Sequence, residues 1–182
     1  QQKTHAIAII LQDNYNVLLY LMGVKMNYEN FTIKTQEALQ EASSIALKND
    51  NSEISTEHVL LALLEQQEGL IPPIVERIGI SVNELKNKIK DLLNKFPKVQ
   101  GAAQVYFSTQ MQKILAKAET HMTELHDQYL STEHIFLSIV ESDGECGNLL
   151  KSFGITYKAV LEALKSVRGN QSVDTQDPES KT

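Results

Sequence analysis

The chain repeats itself. Displaced by 76 positions, residues 31–65 fall on residues 107–141 without a gap. Phe31 meets Phe107, Gln36 meets Gln112, Leu39 meets Leu115 and Ala42 meets Ala118. The tetrapeptide Ser-Thr-Glu-His stands at 55–58 and again at 131–134, each time before an apolar run. One residue out of step, RIGISVNELKNKI aligns with SFGITYKAVLEAL. Self-similarity on this scale marks a repeated structural unit. The two copies cover 31–95 and 107–168. A connector over 96–106 carries Pro97 and Gly101, which punctuate regular structure.

Each copy reads as four short helices. Ala38, Leu39, Ala42, Ile45 and Ala46 recur on one helix face. In STEHVLLALLEQ, Val59, Leu60, Leu63 and Leu64 do the same, and Leu61 makes that helix apolar on most sides. A helix apolar all round is a buried one. A third helix is expected over about 71–78, with Pro72 and Pro73 in its first turn and Gly79 as its stop. The fourth opens at Ser81, with Glu84 completing a capping box, and carries Val82, Leu85, Ile89 and Leu92. The second copy repeats the scheme through Ile114, Leu115, Ala118 and Met122, then Ile135, Leu137, Ile139 and Val140. Leu149, Leu150 and Phe153 follow, then Val160, Leu161 and Leu164. The fold class expected is all-α: two pseudo-twofold-related four-helix units in one compact eight-helix domain.

Composition narrows the function classes. With 182 residues, 42% apolar and 22% charged, the chain can bury one useful core. A net charge of −6 gives no basic field for phosphates, so no nucleic-acid partner is expected. Cys146 is the only cysteine, which excludes a disulfide framework and fits a reducing, cytoplasmic compartment. It has no evident base beside it and reads as incidental. No run of about eighteen apolar residues occurs, so no membrane partner is expected. Phosphate-binding-loop, zinc-protease and nucleophile-elbow motifs are all missing, and no catalytic residue is assigned. His121 and His126 lie on different helix faces and read as solvated. His58 and His134 lack the further ligands a metal needs.

Ser55 and Ser131 precede the buried helices, where a hydroxyl can accept a backbone N–H. Glu57 and Glu133 lie in the first turn, where the helix dipole favours a carboxylate. Capping explains the serine and the glutamate; it does less for Thr-Glu-His as a block.

A tandem [ST]-T-E-H block opening a buried helix resembles the Clp N-terminal repeat domain. MNYENFTIKTQEALQEA, ISTEHVLLALL, the connector FPKVQG, DQYLSTEHIFLSIVE and SVRGNQSV carry the resemblance. They extend it over 26–175 and point most closely to the N-terminal domain of ClpB-type disaggregases. The resemblance implies a domain over 26–168 that receives unfolded or aggregated polypeptides, or adaptor proteins. It also implies a hexameric parent whose ATPase modules, with ATP and Mg, lie outside this segment; the segment itself is expected to be monomeric, to hold no cofactor and to turn over no ATP. Residues 169–182 lack apolar periodicity and read as a flexible linker toward those modules. Residues 1–25 depart from the family pattern, Met26 matching its start. They fit an upstream extension, a cloning remnant or a gene-annotation artefact, and fit a signal peptide poorly. The fold is expected not to need them.

The family's client groove carries over to Leu115 and His134, with Thr32, Asp127 and Glu133 at its rim. His134 stands where some ClpB domains have an apolar residue. Leu115 shares a helix with Ile114 and Ala118, so the sequence admits core as well as groove; Thr32 and Glu133 admit simple capping. The alternative function is a ClpC-like receptor, in which Glu57 and Glu133 mark two pockets for phosphoarginine on tagged proteins. Charge-assisted bonds between a guanidinium-derived group and a carboxylate are strong and directional.

Overall fold

In the computed structural model of the protein, residues 28–101, 104–169 and 172–178 are described. The first copy holds α1 (Ile33–Lys48), α2 (Thr56–Glu65), α3 (Ile71–Ile78) and α4 (Val82–Leu93). The second holds α5 (Thr109–Glu124), α6 (Thr132–Glu141), α7 (Glu145–Ser152) and α8 (Tyr157–Arg168). The all-α, two-unit architecture is therefore present. Two short strands, β1 (Glu53–Ile54) and β2 (Tyr106–Phe107), add to it.

Local chemistry explains the helix limits. Thr32 and Ser108, at matched positions, accept the backbone N–H groups of Thr35 and Met111 and start α1 and α5. Pro72 and Pro73 occupy the first turn of α3, where a missing N–H costs nothing. Gly79 ends that helix at φ 94°, and Gly154 follows α7 at φ 77°. That left-handed conformation suits glycine. It lets Ile80 and Ile155 donate back to Val75 and Leu150 and satisfy the last carbonyls.

The centre is built from α2 and α6. Every residue from Thr56 to Leu64 and from Thr132 to Val140 is buried. Around them pack Leu39 and Ala42 of α1, Leu85 and Ile89 of α4, Met111 and Leu115 of α5, and Val160 and Leu164 of α8. In α4 it is Leu93 rather than Leu92 that is fully buried.

The copies cross-connect. β1 of the first pairs in parallel with β2 of the second, and Phe31 of the first bridges Leu130 of the second. The hydrogen bonds repeat as well: Ser108 donates to Ile54 and Thr32 to Leu130, each at 3.0 Å. Symmetry fails at the last helix. α4 packs on α2 of its own copy, whereas α8 packs chiefly on α3 of the other.

Two expectations need correction. Residues 172–178 are docked, not free: Val173 is buried, its carbonyl accepts Gln128 and Tyr129, and the Gln176 carbonyl accepts Ile33 at 2.8 Å. One valine and a line of backbone bonds suffice, and neither leaves a periodic pattern. His121 is buried, not solvated, while His126 is exposed. His121 stands where the first copy has Ile45, and two carboxylates, Glu141 at 2.7 Å and Glu124 at 3.3 Å, compensate its polarity. Residues 1–25 lie outside the described residues.

Candidate functional site

The two Thr-Glu-His blocks form two related sites. Each is approached by a tight turn whose pivot has positive φ, Asp50 at 55° and His126 at 57°. Asp and His are among the few non-glycine residues that tolerate this region. The turns place Asn51 and Asp127, again matched positions, beneath the histidines.

Each histidine closes its helix start. The Nδ1 of His58 accepts the backbone N–H of Ser55 at 2.9 Å, and His134 does the same for Ser131. This is a capping box with histidine at the third position, where Glu or Gln is usual. Serine was expected to carry the cap; the ring carries half of it. With Nδ1 accepting, the proton sits on Nε2. From there it reaches Asn51 Oδ1 at 2.9 Å in the first site and Asp127 Oδ2 at 2.8 Å in the second. Burial pushes His58 down to about 4.

The sites then diverge. In the second, Asp127 and Glu133 are both buried and share the guanidinium of Arg168, the last residue of α8. Nη1 donates to Asp127 Oδ2 at 3.0 Å and Glu133 Oε1 at 3.3 Å, while Nη2 bonds Asp127 Oδ1. The Val173 N–H also donates to Asp127 at 2.8 Å. Burial by itself would raise the Asp127 carboxyl, but the bonds from His134, Arg168 and Val173 outweigh it and hold the group at about 2. In the first site Leu93 takes the place of Arg168 in the repeat. Asn51, uncharged, donates to the Pro97 carbonyl, and Phe96 meets the His58 ring edge-on. FPKVQG and the tail thus do corresponding work: each crosses the turn that leads into its own Thr-Glu-His block.

Glu57 is consequently left without an arginine. It lines a cavity of about 150 Å³ with Thr56, Ser108, Gln110, Gly144 and Cys146. The Thr56 hydroxyl is buried there without a hydrogen-bond partner. Cys146 is not a bystander. Its thiol is buried, and burial first, then the neighbouring Glu57 and Glu145 carboxylates, push it well above its usual range. It is a packed, protonated thiol and a poor nucleophile.

The groove reading of the sequence does not match this geometry. Leu115 is core, fully buried. Thr32, Asp127, Glu133 and His134 are also buried and turned toward internal partners. The structure brings Asp127, Glu133 and His134 together, and keeps Thr32 close by through the shared Leu130 carbonyl. It leaves none of the five open to a client in this arrangement. The repeat does not point to Arg168, because its match in the other copy is the apolar Leu93.

A two-copy helical domain with a Thr-Glu-His block at the start of each central helix defines the class of fold. Residues 30–153 match the Clp repeat (R) N-terminal domain, and the chain belongs to that family. It is 36% identical over 159 residues to the chaperone protein ClpB of Bacillus anthracis and 38% identical over 160 residues to that of Clostridium perfringens. In both cases 85% of this chain but only 18% of the relative is covered. Among solved structures it resembles the Hsp104 N-terminal domain from Candida albicans, with TM-score 0.72, 23% identity, and 81% and 97% of the two chains covered. The ClpV N-domain from Vibrio cholerae superposes with TM-score 0.66 at 19% identity, covering 80% and 89%. A complex of a ClpV N-domain with a VipB peptide gives 0.65 at 20% identity, covering 80% and 91%. The matched portion is a Clp repeat domain, not an ATPase module.

Proposed function

We propose that the chain is the client- or adaptor-receiving domain of a ClpB-type protein disaggregase. One observation carries this reading. The similarity to ClpB chaperones runs through 85% of this chain and 18% of theirs, so one module is shared. The peptide bound by a ClpV N-domain supports a recognition role for the fold. ATP hydrolysis, a hexameric ring and a cytoplasmic setting belong to the parent in this reading. The test is fluorescence anisotropy of a labelled polypeptide kept unfolded by reduction and carboxymethylation. The domain is expected to bind it, and to leave the same polypeptide alone when it is native. Equal affinity for both forms rejects the proposal.

A ClpC-like reading has one specific observation in its favour. Glu57 faces a small cavity beside the unpartnered Thr56 hydroxyl, and about 150 Å³ suits one side-chain head group. A phosphoarginine peptide is then expected to give calorimetric heat that Glu57→Ala abolishes. No heat at millimolar peptide rejects it.

A further inference from the structure

We propose that Arg168 and residues 172–178 form an autoinhibitory latch over the second Thr-Glu-His site. The inference rests on the client-binding reading and concerns how that binding is regulated. In the second site both carboxylates already have a guanidinium, and it comes from the chain itself. The same carboxylate that holds Arg168 also holds the Val173 N–H, so side chain and strap share one anchor, Asp127. Val173 is buried and returns two bonds to the turn through Gln128 and Tyr129. Farther along, Gln176 accepts Ile33 at the start of α1 and donates to the Glu29 carbonyl at 2.7 Å. Thr32, Asp127, Glu133 and His134 thus lie under or beside one short segment.

The first site has a cover of its own, the connector, but that cover brings no arginine to its glutamate. Its carboxylate, Glu57, meets a cavity, and its turn is held by the connector through neutral groups. The latch is small: one arginine, one valine side chain and a handful of backbone bonds hold it. Few buried apolar contacts are a mark of a unit that opens apart from the rest. When a binding-competent state is only fractionally populated, apparent affinity falls by that fraction. Loosening the latch therefore tightens client binding by the factor by which it opens.

The experiment uses the whole chain and two independent variants. Arg168→Gln removes the charge anchor; Val173→Ser removes the apolar anchor and leaves every charge in place. Val173→Ile serves as the conservative control. Helix content by circular dichroism confirms folding. Hydrogen exchange at Val173, Gln128, Tyr129 and Ile33 reads the latch, and anisotropy of the reduced, carboxymethylated polypeptide reads binding. Loss of a charge-assisted bond is worth roughly a tenfold change or more. Exchange in Arg168→Gln is expected to quicken by about that factor and in Val173→Ser to quicken as well, with polypeptide binding in each tighter by up to the factor its own exchange shows and Val173→Ile like the parent. If exchange quickens while all proteins bind equally, the segment is structural cover, and the latch fails though client binding stands. If no protein binds, both readings fail. Unchanged exchange in both variants overturns the latch directly.

Discussion

His58 and His134 do one task with different partners. In each, the ring accepts at Nδ1 and donates at Nε2. Protonating His58 would put an N–H against the Ser55 N–H, so the folded state resists the charge. The unfolded chain takes up that proton below pH 6.5, and the folded chain only near 4. Stability therefore falls as pH drops through that window, because the unfolded state binds more protons there. Asp127 acts lower: its contribution is complete above 3.8 and is lost as pH falls toward 2. Urea unfolding from pH 6.5 to 4 is expected to show the first decline, on the order of 2–3 kcal/mol. His58→Gln lowers stability at pH 6.5 and flattens that slope; an undiminished slope would assign the titration elsewhere. Leu115 gives a second test at this scale. Fully buried among core residues, it is expected to cost about 2–5 kcal/mol on Leu115→Ala. A near-neutral thermal melt would restore it to the surface.

Among the elements, α7 is under the tightest constraint. A Cβ on Gly147 would lie 2.0 Å from the Ser142 carbonyl oxygen, so backbone has to move. Gly79, by contrast, has open space and only its φ of 94° to object. Gly79→Ala is expected to cost about 1 kcal/mol and Gly147→Ala more, about 2–4 kcal/mol, by denaturant midpoint; the reverse order would refute the steric account. The helices themselves were legible because apolar spacing, prolines and glycines each act locally. Gly79 and Ser81 stood out for that reason. The buried pair α2 and α6 was legible because Leu61 and its counterpart leave no polar face. The sites were legible only as positions. Which way Asp127 and Glu133 point depends on Arg168, 41 and 35 residues away. His121 escaped for a related reason: its two carboxylates are a helix-turn neighbour and Glu141 on α6. Partners that meet only after the chain has folded leave no spacing to read.

For the molecule as a whole, the crossed pairing decides how it comes apart. Each copy's strand finishes in the other copy, through β1 with β2 and Phe31 with Leu130, and α8 packs on α3 of the other copy as well as on its own α6. Neither half can satisfy its backbone or cover its apolar faces alone. One cooperative transition is expected for the chain, by both circular dichroism and tyrosine fluorescence. Cut within the connector, the halves are expected to be largely unfolded apart and to regain helicity on mixing; helix content in an isolated half would contradict this. The same pairing has a consequence for concentrated solutions. The bonds that join the halves are those a twofold homodimer of one half would make, and the connector acts as a tether that raises their local concentration. Nothing in those bonds distinguishes a half from its own chain from the same half of a neighbour. If the tether swings outward, two chains can exchange halves and rebuild every contact, a dimer by domain swapping that needs no new surface.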